Sequence, residues 1–299
     1  MPIFTAADGT ELAYHLEGDG EPLVVLPGGP MRASAYLGDL GGLGAHRRLV
    51  LLDLRGTGDS APAADPETYR CDRLTDDVEA LRAHLGLERM DLLGHSAGGS
   101  LATLYAARHP DRVARLALIT TAVRPLGLRA TPQDRRAAAR LRQQEPWFDK
   151  AYPRLEAWLT GEGECDDDVA PFFYGRWDAA AQAHAAAEVE QTNEEASDRY
   201  YADADLDPAE IRARLIRLTA PVLLLAGELD GGPRPALARR TADAFPNAEV
   251  AVQPGAGHFP WLDDPAWFVR RVTAFLDEAQ LGDGDAHVSA ATATSRAHR

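Results

Sequence analysis

The sequence has few cysteines, no excess of basic residues and no long apolar run. Only two of its 299 residues are cysteines, Cys71 and Cys165, which argues against a disulfide-built scaffold and predicts a reducing, cytoplasmic location. With 31 basic and 46 acidic residues, the net charge of −15 argues against a nucleic-acid partner. No apolar run approaches the length of a membrane span and the N-terminus shows no signal segment, so no membrane partner is expected.

A metal ion or organic cofactor is not predicted either. The segment that most resembles a metal site is Cys165 with the three aspartates that follow it, residues 166–168. Consecutive acidic residues on a loop cannot all converge on one ion, so we expect a solvated acidic loop. The hydrophobic content of 45% is enough for a chain of this length to bury a sizeable core.

The most informative segment is a Gly-x-Ser-x-Gly pattern centred on Ser96. A short apolar run precedes it and a helix-forming segment, residues 100–108, follows it. Strand, tight turn and helix in this order are the context of a nucleophile elbow. The glycines leave room for the sharp turn, and the N-terminus of the helix favours developing negative charge. Ser96 is therefore predicted to be a nucleophile.

A nucleophilic serine needs a base and an orienting acid, which follow in the order serine, acid, histidine in hydrolases built on doubly wound sheets. The apolar run at 221–226 ends in a Gly-rich turn that carries Glu228 and Asp230. Asp230 lies just past the predicted strand end, where active sites of open α/β sheets form, and is favoured over Glu228. Of the nine histidines, only His258 has both a Gly-rich loop position after a strand and the required place in the order.

Two upstream segments extend this pattern. Pro-Gly-Gly-Pro occupies residues 27–30 after an apolar run, and Asp-Leu-Arg-Gly-Thr-Gly-Asp-Ser occupies residues 53–60 after the next run. Together with Ser96, Asp230 and His258, these motifs resemble the α/β-hydrolase superfamily. Within that superfamily, the chain is most similar to the proline iminopeptidase-like serine peptidases.

The resemblance implies an oxyanion hole and also shows a departure from the peptidase branch. It assigns one donor to the N–H of Gly29, and the residue after the nucleophile, Ala97, is expected to supply the second. Pro27 stands where the branch has histidine, and Met31 stands where it has glycine. The superfamily prediction is unaffected, whereas the peptidase prediction is weakened.

The resemblance also implies the domain organisation: an α/β-hydrolase fold, with a mostly parallel, doubly wound sheet and an inserted helical cap. The hydrolase core covers residues 1–122 and 217–280. Residues 123–216 are rich in alanine, acidic and aromatic residues, contain no convincing strand, and are predicted to form the cap. Residues 281–299 are small and polar and are predicted to be disordered.

The cap is where substrate specificity is expected to be set. In proline iminopeptidase-like enzymes, acidic cap residues hold the free amino group of the substrate. The candidates in this chain are Asp178, Glu188, Glu190, Glu194 and Glu195, and Glu195 and Asp178 are the first two among them. The aromatic residues of the cap, Trp177 among them, either line a substrate pocket or form the cap's own core.

The sequence thus predicts a serine hydrolase that forms an acyl-enzyme with a small-molecule or short-peptide substrate. The first prediction is an aminopeptidase that releases an N-terminal residue, proline by family analogy. The first alternative is an esterase, lactonase or thioesterase that acts on a small metabolite. A second alternative, from another functional class, is a non-catalytic protein that binds a small ligand on the same fold. The sequence predicts no oligomeric state.

Overall fold

The computed structural model describes residues 1–121, 123–165, 167–202 and 206–278. Eight strands form one sheet. They are β1 (Ile3–Thr5), β2 (Glu11–Glu17), β3 (Pro22–Leu26), β4 (Arg48–Leu52), β5 (Met90–His95), β6 (Val113–Ile119), β7 (Val222–Gly227) and β8 (Ala248–Gln253).

The strands lie side by side in the order β1-β2-β4-β3-β5-β6-β7-β8. β2 pairs antiparallel with both β1 and β4, and all other neighbours pair in parallel. This confirms the predicted mostly parallel, doubly wound sheet. β3 lies between β4 and β5, so the next strand along the chain, β4, lies on one side of β3, and the strand after it, β5, lies on the other side. Ligands of open α/β sheets bind at the carboxyl ends of the strands beside such a reversal.

Helices of the described residues lie on both sides of the sheet. They are α1 (Thr75–His84), α2 (Ala97–Arg108), α3 (Pro132–Arg140), α4 (Phe148–Thr160), α5 (Ala179–Ala186), α6 (Glu188–Gln191), α7 (Glu194–Tyr200), α8 (Pro208–Leu215), α9 (Pro235–Ala242), α10 (Pro260–Asp263) and α11 (Pro265–Asp277).

Strand β3 shows why the strands of the sheet have continuous apolar sequences. Val24 and Leu26 belong to one buried hydrophobic cluster, whereas Leu23 and Val25 belong to a second. Because successive side chains of a strand point to opposite faces, both faces of the sheet are covered. Helices α1 and α2 contribute to the first cluster, and α11 contributes to the second.

Between β6 and β7, the described residues form helices α3 to α8 and no strand; we call this segment the insertion. It contains a small hydrophobic cluster of its own, formed by Ala139, Ala151, Leu155, Val169 and Phe172. The last two helices of the insertion also pack against the sheet, because Ala196 and Tyr200 of α7 and Ile211 and Leu215 of α8 belong to its first cluster. The predicted tail, residues 281–299, lies outside the described residues. Within the described ranges, no helix is both long and apolar enough to cross a bilayer.

Candidate active site

Ser96 occupies the turn between β5 and α2. Its φ of +51° and ψ of −117° form a conformation that non-glycine residues rarely adopt. A Cβ atom at Gly94 would lie 2.6 Å from the carbonyl oxygen of Gly98, and one at Gly98 would lie 2.3 Å from that of Leu26. Glycine is therefore required at both positions, and the turn holds Ser96 at the carboxyl edge of the sheet.

His258 lies between Ser96 and Asp230. Its Nε2 is 2.9 Å from Oγ of Ser96, and its Nδ1 is 2.9 Å from Oδ2 of Asp230. Asp230 is fully buried, and its Oδ1 accepts the N–H of Gly232 at 2.6 Å. Because an ionised carboxylate only accepts hydrogen bonds, Nδ1 of His258 carries the proton and Nε2 can accept one from the serine. The competing acid, Glu228, instead accepts a backbone N–H from the loop that precedes His258.

The two predicted oxyanion donors lie beside the serine. Gly29, with a φ of +114°, follows β3, and Ala97 is the first residue of α2. Among the described residues, neither N–H donates a hydrogen bond to another protein group. A Cβ atom at Gly29 would lie 2.7 Å from the backbone nitrogen of Arg32, so the loop has no room for a side chain at this position.

A cavity of about 500 Å³ connects these groups with the insertion. Ser96, His258, Gly29 and Ala97 all contribute to its lining. Aromatic side chains of the insertion line it as well, and they are Trp158, Phe173, Tyr174 and Tyr201. Such a volume is suited to a small organic ligand, with the serine hydroxyl at its surface.

A family model described as alpha/beta hydrolase fold matches residues 21–265. The chain belongs to this alpha/beta hydrolase family. It is 28% identical to the non-heme chloroperoxidase CPO-A1 of Kitasatospora aureofaciens, over 86% of this chain and 92% of that protein. It is 27% identical to the proline iminopeptidase of Levilactobacillus brevis, over 85% and 88% of the two chains. The crystal structure of the esterase RhEst1 from Rhodococcus sp. ECU1013 superposes with a TM-score of 0.71 and 25% identity, covering 94% of this chain and all of that one.

In this alpha/beta hydrolase, a buried chain of hydrogen bonds joins the loops of the site. The N–H of Gly28 donates to Oη of Tyr36 at 2.7 Å, and Oη is 2.6 Å from Nδ1 of His95. The other ring nitrogen, Nε2 of His95, is 2.9 Å from the carbonyl oxygen of His258. Because a carbonyl only accepts, Nε2 of His95 carries the proton and Nδ1 accepts the Tyr36 hydroxyl.

Burial keeps the side chains of Tyr36 and His95 neutral. It holds the pKa of His95 well below its ordinary value, with His258 adding to the effect, and it raises the pKa of Tyr36. The sequence alone singles out neither His95 nor Tyr36. Tyr36 lies on a single 3-10 turn, Ser34–Leu37, which gives no periodic signal, and its contact with His95 spans 59 residues.

The structure places Asp178, Glu195 and Trp177, the predicted substrate contacts of the cap, outside the lining of the cavity. Asp178 caps α5 by accepting backbone N–H groups at 3.1 and 3.0 Å. Glu195 is exposed in the first turn of α7. Trp177 packs against Tyr174, with ring centroids 5.3 Å apart. Acidic residues at helix starts satisfy free N–H groups and the helix dipole, which explains both carboxylates without a ligand.

Two of the other predicted cap candidates do reach the cavity, together with one further carboxylate. Asp167, Glu188 and Glu194 line it, and all three residues are exposed. Glu188 is also 3.4 Å from the guanidinium of Arg32. These carboxylates are therefore accessible to solvent, and Glu188 already has a cationic partner.

His15, Asp53 and Asp59 form a second polar group, whose ligand-type atoms lie within 4.8 Å of one another. The carboxylate of Asp53 already accepts the N–H and the hydroxyl of Ser34, at 2.8 and 2.7 Å, and the N–H of Asp59 at 3.0 Å. These bonds tie the Gly-rich loop at residues 53–60 to the segment after β3. They account for the group as a structural feature of the hydrolase core.

Proposed function

We propose that this chain is a serine hydrolase that works through an acyl-enzyme. The observation that carries the proposal is the line of contacts from Ser96 through His258 to Asp230, with 2.9 Å at each step. A nucleophile in contact with a base, and a base oriented by an acid, are what acyl transfer requires. A non-catalytic binding protein would have no use for this arrangement.

The proposed reaction has two halves. His258 takes the proton of Ser96 while Oγ attacks the substrate carbonyl, and the N–H groups of Gly29 and Ala97 stabilise the oxyanion. The imidazolium, stabilised by Asp230, then protonates the leaving group and an ester of Ser96 remains. In the second half, His258 takes a proton from water while the water oxygen attacks the acyl carbon. His258 then returns the proton to Oγ of Ser96, and the carboxylic acid is released.

Small carboxylic esters are the substrate class that we propose first, with the insertion acting as the cap that sets specificity. An aminopeptidase must bind the cationic N-terminus of its substrate, for which a buried carboxylate is the effective partner. The carboxylates at this cavity are exposed, and Glu188 is paired with Arg32. An ester needs no such partner, and the likeness to the esterase RhEst1 supports the same class.

An aminopeptidase that releases N-terminal proline is the second candidate. The likeness to the proline iminopeptidase of Levilactobacillus brevis supports it. So does the presence of Glu188 and Glu194 in the cavity lining, because either carboxylate could exchange water for a substrate ammonium group.

Hydrolysis of p-nitrophenyl butyrate and of L-proline p-nitroanilide separates the two candidates. We expect the wild type to cleave the ester, and Ser96→Ala to lower the rate by at least about 10⁴-fold. Ser197→Ala, a serine of α7 outside the cavity lining, is the matched control and should retain the rate.

Two other results would change the conclusion. Cleavage of the prolyl amide alone, with the same dependence on Ser96, would replace the first candidate by the second. If neither substrate is cleaved and a fluorophosphonate probe leaves Ser96 unlabelled, the serine hydrolase proposal itself fails.

A further inference from the structure

Arg135, on α3, lines the cavity from the side of the insertion. Its guanidinium lies 4.6 Å from the ring centroid of Trp158, and Nη1 donates to the carbonyl oxygen of Gly231 at 2.9 Å. Gly231 directly follows Asp230, so this cation contacts the loop that carries the acid of the site. Within the described part of the chain, Arg135 forms no ion pair with a carboxylate.

The burial of Arg135 is only partly compensated by the protein. Desolvation lowers the pKa of its guanidinium, and the charge of Asp230 opposes this effect without reversing it. A guanidinium offers five N–H donors in a planar fork, of which the described residues accept one. The remaining nitrogens keep contact with solvent and are therefore available to a ligand.

The other two arginines of the cavity lining differ from Arg135. The guanidinium of Arg32 is already satisfied by Gln191 at 2.9 Å, by the carbonyl of His184 at 2.9 Å and by Glu188 at 3.4 Å. Arg124 is exposed and lies over the ring of Tyr201. Partial burial strengthens electrostatic interactions, and exposure weakens them. Of the three arginines of the lining, Arg135 is therefore the one that we expect to interact most strongly with a negatively charged ligand.

We propose that this hydrolase acts on esters that carry a free carboxylate group, and that Arg135 binds this carboxylate. This inference rests on the proposed function, because it names the substrate class of the same site. A planar guanidinium fork matches a carboxylate in a bidentate contact. Salt screens exposed charges beyond about 10 Å at 0.1 M, so the distant part of the net charge of −15 contributes little to the potential at Arg135.

Two pairs of esters test the proposal, and within each pair only the methylation of a distal carboxylate differs. The first pair is mono-p-nitrophenyl glutarate and its methyl ester, which place the carboxylate on the acyl side. The second pair is 4-butyryloxybenzoate and its methyl ester, which place it on the leaving group. Absorbance of the released phenolate gives kcat and KM for each ester.

We expect wild-type kcat/KM to favour the free carboxylate in one of the two pairs by about 10- to 100-fold. The responding pair shows which side of the scissile bond carries the charge. Arg135→Gln should remove at least nine-tenths of this preference, mainly through KM, and Arg135→Lys should restore part of it. Arg136→Gln is the matched control, because Arg136 pairs with Glu156 on α4 and does not line the cavity; it should keep the preference.

Three results would contradict the proposal. If the enzyme cleaves the methylated esters through Ser96 and prefers the free carboxylate in neither pair, the inference fails and the serine hydrolase proposal stands. If Arg135→Gln lowers the rates of both members of a pair equally, the residue only holds the insertion against Gly231. If no ester is cleaved and a fluorophosphonate does not label Ser96, the proposed function fails as well.

Discussion

Removal of a single hydroxyl group, by Tyr36→Phe, is expected to lower kcat while the fold is retained. Oη of Tyr36 accepts the N–H of Gly28 at 2.7 Å and donates to Nδ1 of His95 at 2.6 Å. Gly28 precedes Gly29, whose N–H we propose as an oxyanion donor. Phenylalanine preserves the packing of the ring and removes both hydrogen bonds, so the loop that carries this donor loses its attachment to the nucleophile elbow.

The size of the effect follows from burial. Tyr36 is 5% exposed and His95 is 1% exposed, so water cannot replace the lost hydroxyl. A buried donor or acceptor without a partner costs about 1–3 kcal/mol. Two such groups should lower the free energy of unfolding by about 2–6 kcal/mol, compared with a total stability of about 5–15 kcal/mol that is usual for such proteins.

The decrease in kcat should not exceed the decrease caused by the complete loss of one oxyanion donor, which is about 10²- to 10³-fold. Because Tyr36→Phe misorients the donor of Gly29 without deleting it, we expect kcat to fall by about 10- to 100-fold. KM should change by less than about 3-fold, because ground-state binding uses the rest of the cavity.

Urea unfolding and hydrolysis of p-nitrophenyl butyrate measure the two effects separately. Tyr105→Phe is the matched control, because the fully buried Tyr105 donates to Glu79 at 2.7 Å and does not line the cavity. This control should lose stability and keep its kcat. Wild-type kcat in Tyr36→Phe, or an equal loss of kcat in Tyr105→Phe, would refute a positioning role for Tyr36.

Two further predictions concern buried titratable groups. Asp230→Asn keeps the shape of the side chain but no longer stabilises the charged imidazolium of His258, so kcat should fall by about 10³- to 10⁴-fold without a change in circular dichroism; near-normal activity would remove Asp230 from the mechanism. Burial, with nearby Arg32, lowers the pKa of His184 from 6.5 to about 4. Between these two pH values, His184 is therefore protonated in the unfolded chain and neutral in the folded chain. This should reduce stability progressively between pH 6.5 and 4 by at most about 3 kcal/mol, and not above pH 6.5, where neither state is protonated. Urea unfolding across this range should show a shallower decline in His184→Gln, and an equal decline in both proteins would contradict the assignment.

The sequence predicts that Ser96, Asp230 and His258 lie together, and the structure brings them into contact, because steric and topological demands restrict their positions. Gly94 and Gly98 are required by backbone atoms within 3 Å of any added Cβ, and this demand is visible as a pattern around Ser96. Asp230 and His258 follow strands of the same parallel sheet, whose carboxyl ends meet at one edge. The spacing of such residues along the chain therefore carries spatial information.

The surroundings of the reacting groups were not predictable in the same way. An acidic residue at the start of a helix has the same local sequence whether it caps the helix, as Asp178 does, or binds a ligand. Arg135 and Gly231 are 96 residues apart, and no periodicity of either segment indicates their contact. Specificity residues of the insertion depend on such long-range contacts, so only the structure distinguishes them from solvated side chains.

Two sets of contacts surround Ser96, and we expect them to have different effects. The contacts of Tyr36 and His95 belong to the core, and those of Arg135 belong to the insertion. Tyr36 and His95 fix loops of the core through uncharged, fully buried hydrogen bonds, which gives the reacting atoms one geometry for every substrate. Arg135 approaches from the insertion with most of its donors unused, which leaves its interaction energy for a ligand. Changes in the first set should therefore alter kcat for all esters, whereas changes at Arg135 should alter which ester is preferred. Because the two sets belong to different parts of the chain, the proposed substrate preference can change within the insertion while the contacts of Ser96 and His258 in the core are preserved.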